Sequence, residues 1–351
     1  MLGGGVFVTQ NKVLPGSYIN IISASTSTSN VGERGIVAIA LPLGKSAGTV
    51  IELTANDFAK NSSDILGKNH DSADVIALRE IFKHANKVYV YDLGADGAKE
   101  VSDAINALEA YDFNVLCAYT ATAEDVTAYI TAVKGWRDEM GKKCQVVVYN
   151  QTKPDHEGVI NVVSKVATDD AHESVVDHAL VAWVAGAEAG CAINESCTNM
   201  LYDGEYTVVT DKTQTQLEQC LKDGQIAFHL VYGDVRLLED INSLTTTTVD
   251  KGDDFKYNQT IRVVDQIAND IARLFNTKYL GKIPNNESGR VSLWGDIVKH
   301  HRELEEVGAI EKFDSTLLSV VQGNNKKSVV VNDVITVVNA MAQLYMTVVI
   351  Q

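Results

Sequence analysis

Short apolar runs alternate with amphipathic stretches through the middle of the chain. VYVYDLG, FNVLCAY and CQVVVYN have the length and the β-branched and aromatic content of buried strands. AKEVSDAINALEAY and TAEDVTAYITAVKGWRDEMG repeat apolar residues at helical spacing. HEGVINVVSKV and ESVVDHALVAWVAGAEAG are predicted to form two more helices. Because strands and helices alternate, residues 71–238 are predicted to form a central α/β domain with a largely parallel sheet.

The pattern differs on both sides of this block. Residues 1–30 are predicted to be an arm that contains the β-prone run GSYINIIS and the Ser/Thr stretch SASTSTSN. GIVAIALPLG and TVIELT predict a small β-rich domain over residues 31–70. Residues 239–351 are predicted to form an α+β domain, in which two long helices precede strands that continue to the last residue. The predicted fold class is therefore α/β, and α+β overall.

Both ends of the chain contain apolar, β-prone sequence, although terminal segments are usually polar and frayed. In the last residues, two alternating faces are formed by Tyr345, Thr347 and Val349 and by Met346, Val348 and Ile350. The matching N-terminal residues are Tyr18, Ile19, Asn20 and Ile21. Such strands either pair with the chain's own sheet or add to a neighbouring subunit, and we favour addition to a neighbour.

Composition excludes several classes of protein. The 351 residues are 45% hydrophobic and 22% charged, as in an ordinary globular protein. No uninterrupted apolar stretch of about 18 residues predicts a membrane span, and the first residues lack a signal-peptide pattern. The five cysteines include no CxxC pair, so neither a disulfide framework nor a zinc site is predicted. These features predict a protein made in a reducing cytoplasm.

The charge is strongly negative and unevenly distributed. The 30 Lys and Arg residues against 46 Asp and Glu give a net charge of -16, which disfavours binding to nucleic acid or to an anionic membrane. Residues 1–239 contain 18 basic and 32 acidic side chains, whereas residues 240–351 contain 12 and 14. This difference suggests two parts that face different surroundings, although drift in composition between two domains explains it equally well.

The sequence contains few signs of catalysis. GxGxxG, P-loop, GxSxG and HExxH motifs are missing, so no catalytic, cofactor-binding or metal-binding residue is predicted. His300 and His301 are predicted to lie on a solvated polar face, and His229 is predicted to be a core histidine. The enzyme alternative is an α/β hydrolase-like or nucleotide-binding protein with an accessory C-terminal domain, and it requires a concave site at the carboxyl edge of the sheet. An adhesin or capsid-type structural protein is a third class.

Several segments, in order, resemble those of one family. They are PGSYINI, GERGIVAIALPLG, VAWVAGAEAGCAINESCTNMLYDG, INSLTTTT, IRVVDQIANDI, GKIPNNESGR and AQLYMTVVI. On these segments the chain resembles contractile tail sheath proteins of tailed phages and phage-tail-like bacteriocins, above all the compact Gram-positive sheaths of the PBSX type and the R-type diffocins. Ala342 departs from the family pattern, in which a Glu is expected at this position.

The resemblance implies a structural subunit rather than an enzyme, with no cofactor. Hexameric rings of the chain would stack helically around an inner tail tube protein, with the C-terminal domain facing the tube and the α/β domain facing outward. Subunits would exchange their terminal strands, meet baseplate and tail terminator proteins, and contract from a metastable extended state. Lys326 and Lys327 are candidate contacts to an acidic tube, although the sequence favours the alternative that they are solvated lysines of a loop. No direct nucleic-acid contact or membrane insertion is implied. Assembly in the bacterial host cytoplasm would precede incorporation into a virion tail or a released bacteriocin particle.

Overall fold

A seven-stranded sheet forms the centre of the α/β region. The computed structural model describes residues 32–95, 98–120, 122–167 and 176–350, so the predicted arm residues Tyr18, Ile19, Asn20 and Ile21 lie outside the described residues. The strands of the sheet are β1 (Ile36–Leu41), β2 (Val50–Thr54), β3 (Lys87–Asp92), β4 (Val115–Cys117), β5 (Gln145–Tyr149), β6 (Val159–Val162) and β7 (Gln225–Ile226). Their order is β2-β3-β1-β4-β5-β6-β7, and β2 pairs antiparallel while the other strands are parallel. The predicted α/β class with a largely parallel sheet is confirmed.

Helices cover both faces of this sheet. They are α1 (Ala55–Leu66), α2 (Ile76–Ile81), α3 (Val101–Leu108), α4 (Ala123–Gly135), α5 (Leu180–Gly190) and α6 (Gln214–Lys222). Alternate residues of β1 point to opposite faces, so Ile39 packs in the core that contains α1, α2 and α5, whereas Ala38 packs in the core that contains α3 and α4. Helix α5 is buried on every side, and Gly186 lets it approach the backbone of α2 at Ile81.

Two details of the α/β region differ from the prediction. HEGVINVVSKV was expected to be a helix, but its apolar residues form β6, which is buried on both faces. A short apolar run fits a buried strand as well as a buried helix, and here the β-branched residues favour the strand. The expected division near residue 70 does not follow the hydrogen bonding, because β1 and β2 both belong to the seven-stranded sheet. The other domain boundaries stay predictions.

Two long helices dominate the remaining part of the chain. A hairpin of β8 (Phe228–Val231) and β9 (Asp234–Leu237) leads to α7 (Asn258–Leu274), which is followed by α8 (Glu287–Glu306) and by a second hairpin of β10 (Ser319–Gln322) and β11 (Val329–Asn332). The two long helices were predicted and are present. Asn286 caps α8 by accepting a hydrogen bond from the Gly289 N–H at 2.9 Å. Val263, Leu293 and Phe313 belong to a separate core under these helices.

Candidate assembly site

The last residues of the chain expose a continuous apolar segment. Every residue from 338 to 350 is exposed, including Met341, Tyr345 at 87% and Ile350 at 92% of the full residue surface. The other large apolar residues of the segment are Leu344, Met346, Val348 and Val349. A contiguous apolar surface of this kind is typical of an interaction site rather than of a solvated surface. We call residues 341–350 the C-terminal segment.

The C-terminal segment follows an anchor of three residues. Val338 donates its N–H to the carbonyl of Ala309 at 3.0 Å, and Ala340 donates its N–H to Gln259 Oε1 at 2.8 Å. Asn339 also exchanges hydrogen bonds with the Thr260 hydroxyl. Beyond this anchor, the backbone of the C-terminal segment makes no hydrogen bond to any residue that the structure describes. The segment therefore does not pair with the described sheets of its own chain, and it is not a strand here because a strand requires a partner.

The hairpin of β10 and β11 lies in the same part of the fold. It is a two-stranded antiparallel sheet in which Val320 pairs with Val331 and Val321 with Val330. Val321 and Val331 are exposed. A two-stranded sheet is only marginally stable by itself, and each of its outer edges offers unpaired backbone groups. Lys326 and Lys327 are exposed in the connecting turn, where Lys327 donates its N–H to Asn325 Oδ1 at 2.8 Å.

A second unusual feature is the burial of the polar side of α7 against the α/β region. Arg262 Nη2 lies 2.7 Å from Glu188 Oε2 and 3.2 Å from Asp240 Oδ2, and all three side chains are at most 2% exposed. One turn along the helix, Asp265 receives two hydrogen bonds from Arg137, at 2.5 and 2.8 Å. We call this contact between α7 and the α/β region the polar junction.

The pKa values at the polar junction follow from this geometry. Burial and repulsion by Asp240 raise the pKa of Glu188 well above its ordinary value. Burial also opposes ionisation of Asp240, but Arg262 and the Glu188 hydrogen bond hold its pKa below the ordinary value. Burial alone would lower the pKa of Arg262, whereas the two carboxyl groups raise it well above the ordinary value. These directions indicate a buried ion pair of Arg262 and Asp240, beside which burial disfavours the charged form of Glu188.

Asp92 is held by a cluster of backbone N–H groups at the carboxyl edge of the sheet. It lies at the carboxyl end of β3, beside the end of β1, and its carboxylate accepts five backbone hydrogen bonds of 2.6 to 3.1 Å. The donors are the N–H groups of Leu43, Gly44, Lys45, Ser46 and Gly94. Burial works against ionisation, but these donors lower the pKa of Asp92. The chain therefore occupies this anion-binding position with its own side chain.

Two carboxyl clusters among the described residues could hold a metal cation, but each already contains a positively charged side chain of the protein. The group of Glu188, Cys197 and Asp240 surrounds the Arg262 guanidinium. In the group of Asp138, His156 and Glu157, the positive charge comes from Lys251, whose Nζ lies 2.8 Å from Glu157 Oε1.

A depression of about 400 Å³ beside α6 is lined by Lys212, Gln216 and Gln225. Gln225 begins β7, so this depression lies at the amino edge of the sheet, opposite to the edge where α/β enzymes bind ligands.

Three family profiles match consecutive parts of the chain. The profile of the domain III N-terminal region of the tail sheath protein Gp18 matches residues 34–93, and that of the phage tail sheath protein central domain matches residues 94–243. The profile of the phage tail sheath C-terminal domain matches residues 250–351. The chain belongs to the phage tail sheath family. The resemblance to contractile tail sheath proteins that the sequence predicted is thereby confirmed.

Two sequence relatives agree with this assignment of the sheath chain. The phage-like element PBSX protein XkdK of Bacillus subtilis is 33% identical over 225 residues, which are 62% of this chain and 48% of that protein. The sheath chain thus matches about half the length of XkdK. The tail sheath protein of Clostridium phage phiCD119 is 28% identical over 302 residues, which are 85% of this chain and 82% of that protein.

Two solved structures share the fold. The sheath tail protein of Desulfitobacterium hafniense matches with a TM-score of 0.79 and 26% identity, over 94% of this chain and 99% of that chain. The helical sheath of the anti-feeding prophage in its contracted state matches with a TM-score of 0.71 and 15% identity, over 96% of this chain and 99% of that chain. The second match is a likeness of fold alone. The relatives are structural tail proteins, and the enzyme alternative receives no support from them.

The exposure predicted for two of the histidines differs from the structure. His300 and His301 were expected on a solvated face, but they are 1% and 0% exposed, and this prediction is wrong. Polar partners accompany this burial, since Asp270 of α7 lies 3.5 Å from His300 Nε2 and Asp333 lies 2.7 Å from His301 Nε2. Burial lowers the pKa of His300 to about 4, although Asp270 acts in the opposite direction. His229 is half-buried on β8.

No helix in the described ranges is both long enough and apolar enough to cross a bilayer.

Proposed function

We propose that the sheath chain is a structural subunit of a contractile tail whose copies form hexameric rings, stack helically around an inner tube and stay joined by exchanged N- and C-terminal strands. The observation that supports this most strongly is the C-terminal segment, which is apolar, exposed and unpaired within the described chain. The predicted exchange residues are Tyr18, Ile19, Asn20, Ile21, Tyr345, Met346, Thr347, Val348, Val349 and Ile350. In this proposal the chain has no catalytic residue and needs no cofactor.

The C-terminal segment is suited to strand addition. Its alternating side chains give a strand two apolar faces, so both faces can be covered in an assembly. The hairpin of β10 and β11 offers an edge of the same β-branched composition in another copy of the chain. Each net backbone hydrogen bond contributes only about 0.5–1.5 kcal/mol. A link of several such bonds, repeated in every subunit of a lattice, holds the rings together through multivalency.

Contraction follows from two alternative packings of the same subunits. The contracted sheath of the anti-feeding prophage has the same fold as this chain, which supports a subunit that suits such a lattice. The extended lattice would be metastable, and a trigger would let subunits move outward into a more closely packed arrangement. The energy is then stored at assembly as the gap between two packings, and no nucleotide is required. Exchanged strands keep the subunits linked during this change.

The distribution of charge supports an orientation for the subunit. Residues 240–351 are nearly neutral, with 12 basic and 14 acidic side chains, and we place them towards the tube. The acidic α/β domain then faces solvent. Lys326 and Lys327, exposed in the turn of the second hairpin, are the proposed tube contacts. Baseplate and tail terminator proteins are proposed partners at the two ends of the lattice, and the assembled particle is a virion tail or a bacteriocin.

Removal of residues 345–351 tests the strand exchange. The full chain is expected to form hollow striated tubes or stacked rings in negative-stain electron microscopy, alone or when co-expressed with its tube protein. The truncated chain is expected to keep its circular dichroism spectrum and thermal unfolding transition, because residues 345–350 are exposed and belong to none of the buried cores. It should sediment as a monomer. Normal tubes from the truncated chain would contradict the exchange of C-terminal strands.

A matched pair of point variants separates backbone pairing from loss of apolar surface. Val348→Pro removes one backbone donor and one strand-compatible residue, whereas Val348→Ala keeps the donor and removes apolar surface. Assembly should fail or weaken more than tenfold in the proline variant and should persist in the alanine variant. Equal losses in both would indicate a hydrophobic contact without strand pairing. If the full chain stays monomeric even with the tube protein, the sheath assembly itself is contradicted.

A further inference from the structure

Three polar residues lie along one face of α7 and are buried there. Gln259, Gln266 and Asp270 are each at most 4% exposed. They follow one another at intervals of seven and four residues, so their directions around the helix differ by no more than about 40°. Together they span about 17 Å of the helix axis. We call these three residues the α7 row.

The backbone pairing that leads to the C-terminal segment ends before the segment begins. Residues 336–338 pair antiparallel with residues 309–311, and the Val338 N–H donates to the Ala309 carbonyl at 3.0 Å. The pairing cannot continue at the Val338 carbonyl, because the Ala309 N–H opposite to it donates to the Leu304 carbonyl at 3.0 Å. Another donor is therefore needed at this point.

Gln259 supplies that donor and takes the place of a neighbouring strand. Its Nε2 donates to the Val338 carbonyl at 3.3 Å, and its Oε1 accepts the Ala340 N–H at 2.8 Å. A carboxamide offers one donor group and one acceptor, as a peptide unit does, and residues two apart present their backbone groups on the same edge of a strand. One side chain of α7 thus holds the last backbone groups that are paired before the C-terminal segment.

The other end of the α7 row holds Gly32, which is the first residue that the structure describes. Asp270 accepts the Gly32 N–H through both carboxylate oxygens at 3.1 Å, and Gln266 Nε2 donates to the Gly32 carbonyl at 3.4 Å. A Cβ at residue 32 would lie 2.5 Å from Asp270 Oδ1 and 2.8 Å from Gln266 Nε2, so a side chain there would displace both groups. Helix α7 therefore holds the chain four residues before β1 begins at Ile36.

We propose that the α7 row is the common base of both terminal segments and fixes the distance between the two points from which the exchanged strands extend. This inference rests on the strand exchange proposed above. In a lattice of linked subunits, a force applied through one exchanged strand then reaches the other through α7, because both starting points are hydrogen-bonded to this helix. The force does not have to pass through β1 and the rest of the sheet. The three side chains are positioning residues, since they act through the backbone at Gly32 and at residues 338–340.

Amide hydrogen exchange, resolved to single residues, tests the α7 row in the unassembled chain. In the unmodified chain, the Ala340 N–H should exchange at least about tenfold more slowly than the N–H groups of the C-terminal segment. Gln259→Met removes both hydrogen bonds and should abolish this difference, whereas Gln259→Glu keeps the acceptor and should preserve it. Thr260→Val is the matched control, since the Thr260 hydroxyl bonds the Asn339 side chain rather than the backbone. Equal exchange at Ala340 and in the C-terminal segment of the unmodified chain would overturn the proposal.

Assembly measures the role of the α7 row in the lattice. The protein concentration at which tubes form, with the tube protein where it is required, should rise about tenfold or more in Gln259→Met and stay unchanged in Thr260→Val. Gly32→Ala, which crowds the other end of the row, should have a similar effect. Its matched control is Gly135→Ala on α4, where an added Cβ meets nothing within 4 Å. All four variants should unfold within about 4 °C of the parent, so that a loss of assembly does not reflect a loss of fold.

The chain that lacks residues 345–351, assayed beside these variants, separates the α7 row from the strand exchange. If the truncated chain fails to assemble while Gln259→Met and Gly32→Ala assemble as the parent does, the role of the row is contradicted and the strand exchange stands. If the truncated chain forms normal tubes, the exchange is contradicted, and this role of the row falls with it. Failure of the truncated chain and of both row variants, with normal assembly of the two controls, is the expected result.

Discussion

Helix α7 and the C-terminal segment distribute polar and apolar groups in opposite ways. The polar side of α7 is buried against the α/β region, where Arg262 is 3% exposed, whereas the apolar residues of the C-terminal segment are almost fully exposed. Proteins ordinarily bury apolar residues and expose charged ones. One proposed explanation covers both exceptions, in which each is one half of an interface. The chain itself supplies the other half for α7, and we propose that a second copy supplies it for the C-terminal segment.

The two interfaces also differ in how they satisfy the backbone and the charges. At the polar junction, Arg262, Asp240 and Glu188 have hydrogen-bonded or ionic partners inside the chain. Burial of such groups is tolerated only when they are paired in this way. The C-terminal segment lacks partners for its backbone within the described residues. It follows that damage to α7 should destabilise the monomer, whereas damage to the C-terminal segment should leave the monomer intact.

The largest effect is expected from Arg262→Ala. This change leaves Asp240 buried and uncompensated, so the free energy of unfolding should fall by about 3–5 kcal/mol in chemical denaturation. Arg236→Ala is the matched control, since Arg236 forms a partly exposed ion pair with Asp234 at 3.0 Å. It should cost less than about 1 kcal/mol. Similar losses in the two variants would show that the polar junction does not stabilise the fold.

Isoleucine-to-alanine changes compare the two regions directly. Ile261 on the apolar side of α7 is 0% exposed, whereas Ile350 is 92% exposed. Ile261→Ala should lower the free energy of unfolding by about 2–5 kcal/mol, because it leaves a cavity. Ile350→Ala should change it by no more than about 0.5 kcal/mol. Loss of monomer stability in the Ile350 variant would show that the C-terminal segment already packs within its own chain.

Local sequence pattern predicted much of this fold. The alternation of apolar runs with amphipathic stretches predicted β3, β4 and β5 and the helices between them, because each of these elements has a clear period. β6 was missed, since a short buried run such as VINV fits a strand and a helix equally well. The apolar stripe of α7 was visible in the sequence. What covers its polar side was not, because the partners of Arg262 are 22 and 74 residues away.

In the candidate site, too, the sequence could not predict which distant residues come into contact. The period-two alternation of the C-terminal segment predicted a strand, and its partner stays a prediction because it would belong to another molecule. The buried environment of His300 could not be predicted, since Asp270 approaches it from a different helix. The same is true of Asp92, whose five backbone donors come from two loops that only the parallel pairing of β1 and β3 brings together.

Acid should weaken the contact between α7 and α8 through His300. Burial lowers the pKa of His300 from 6.5 to about 4, against the effect of Asp270, so the folded state binds its proton less readily than the unfolded state. The stabilisation is therefore complete above pH 6.5 and is lost as the pH falls towards 4. Between pH 7 and pH 4.5 the loss should be about 2–3 kcal/mol in urea unfolding.

His300→Gln should flatten this part of the pH dependence. The other titrating groups are common to both proteins, so the difference between the two curves isolates His300. His301 and Glu303 on α8 and Asp270 on α7 face the same site and remain in the variant. Parallel curves for the parent and the His300 variant would contradict the prediction.

The smallest effect on the monomer is expected from the double change Lys326→Ala and Lys327→Ala. Both lysines are exposed in a turn, so the free energy of unfolding should change by no more than about 0.5 kcal/mol. If these charges face an acidic tube, affinity for the tube protein should fall severalfold and depend less on salt. Lys60→Ala with Lys83→Ala, which changes two exposed lysines of the α/β region, is the matched control and should bind as the parent does. Equal binding by all three proteins would remove the lysine pair from the tube interface. Exposed apolar surface in the C-terminal segment, and not exposed charge in the turn, would then be the feature that indicates a partner.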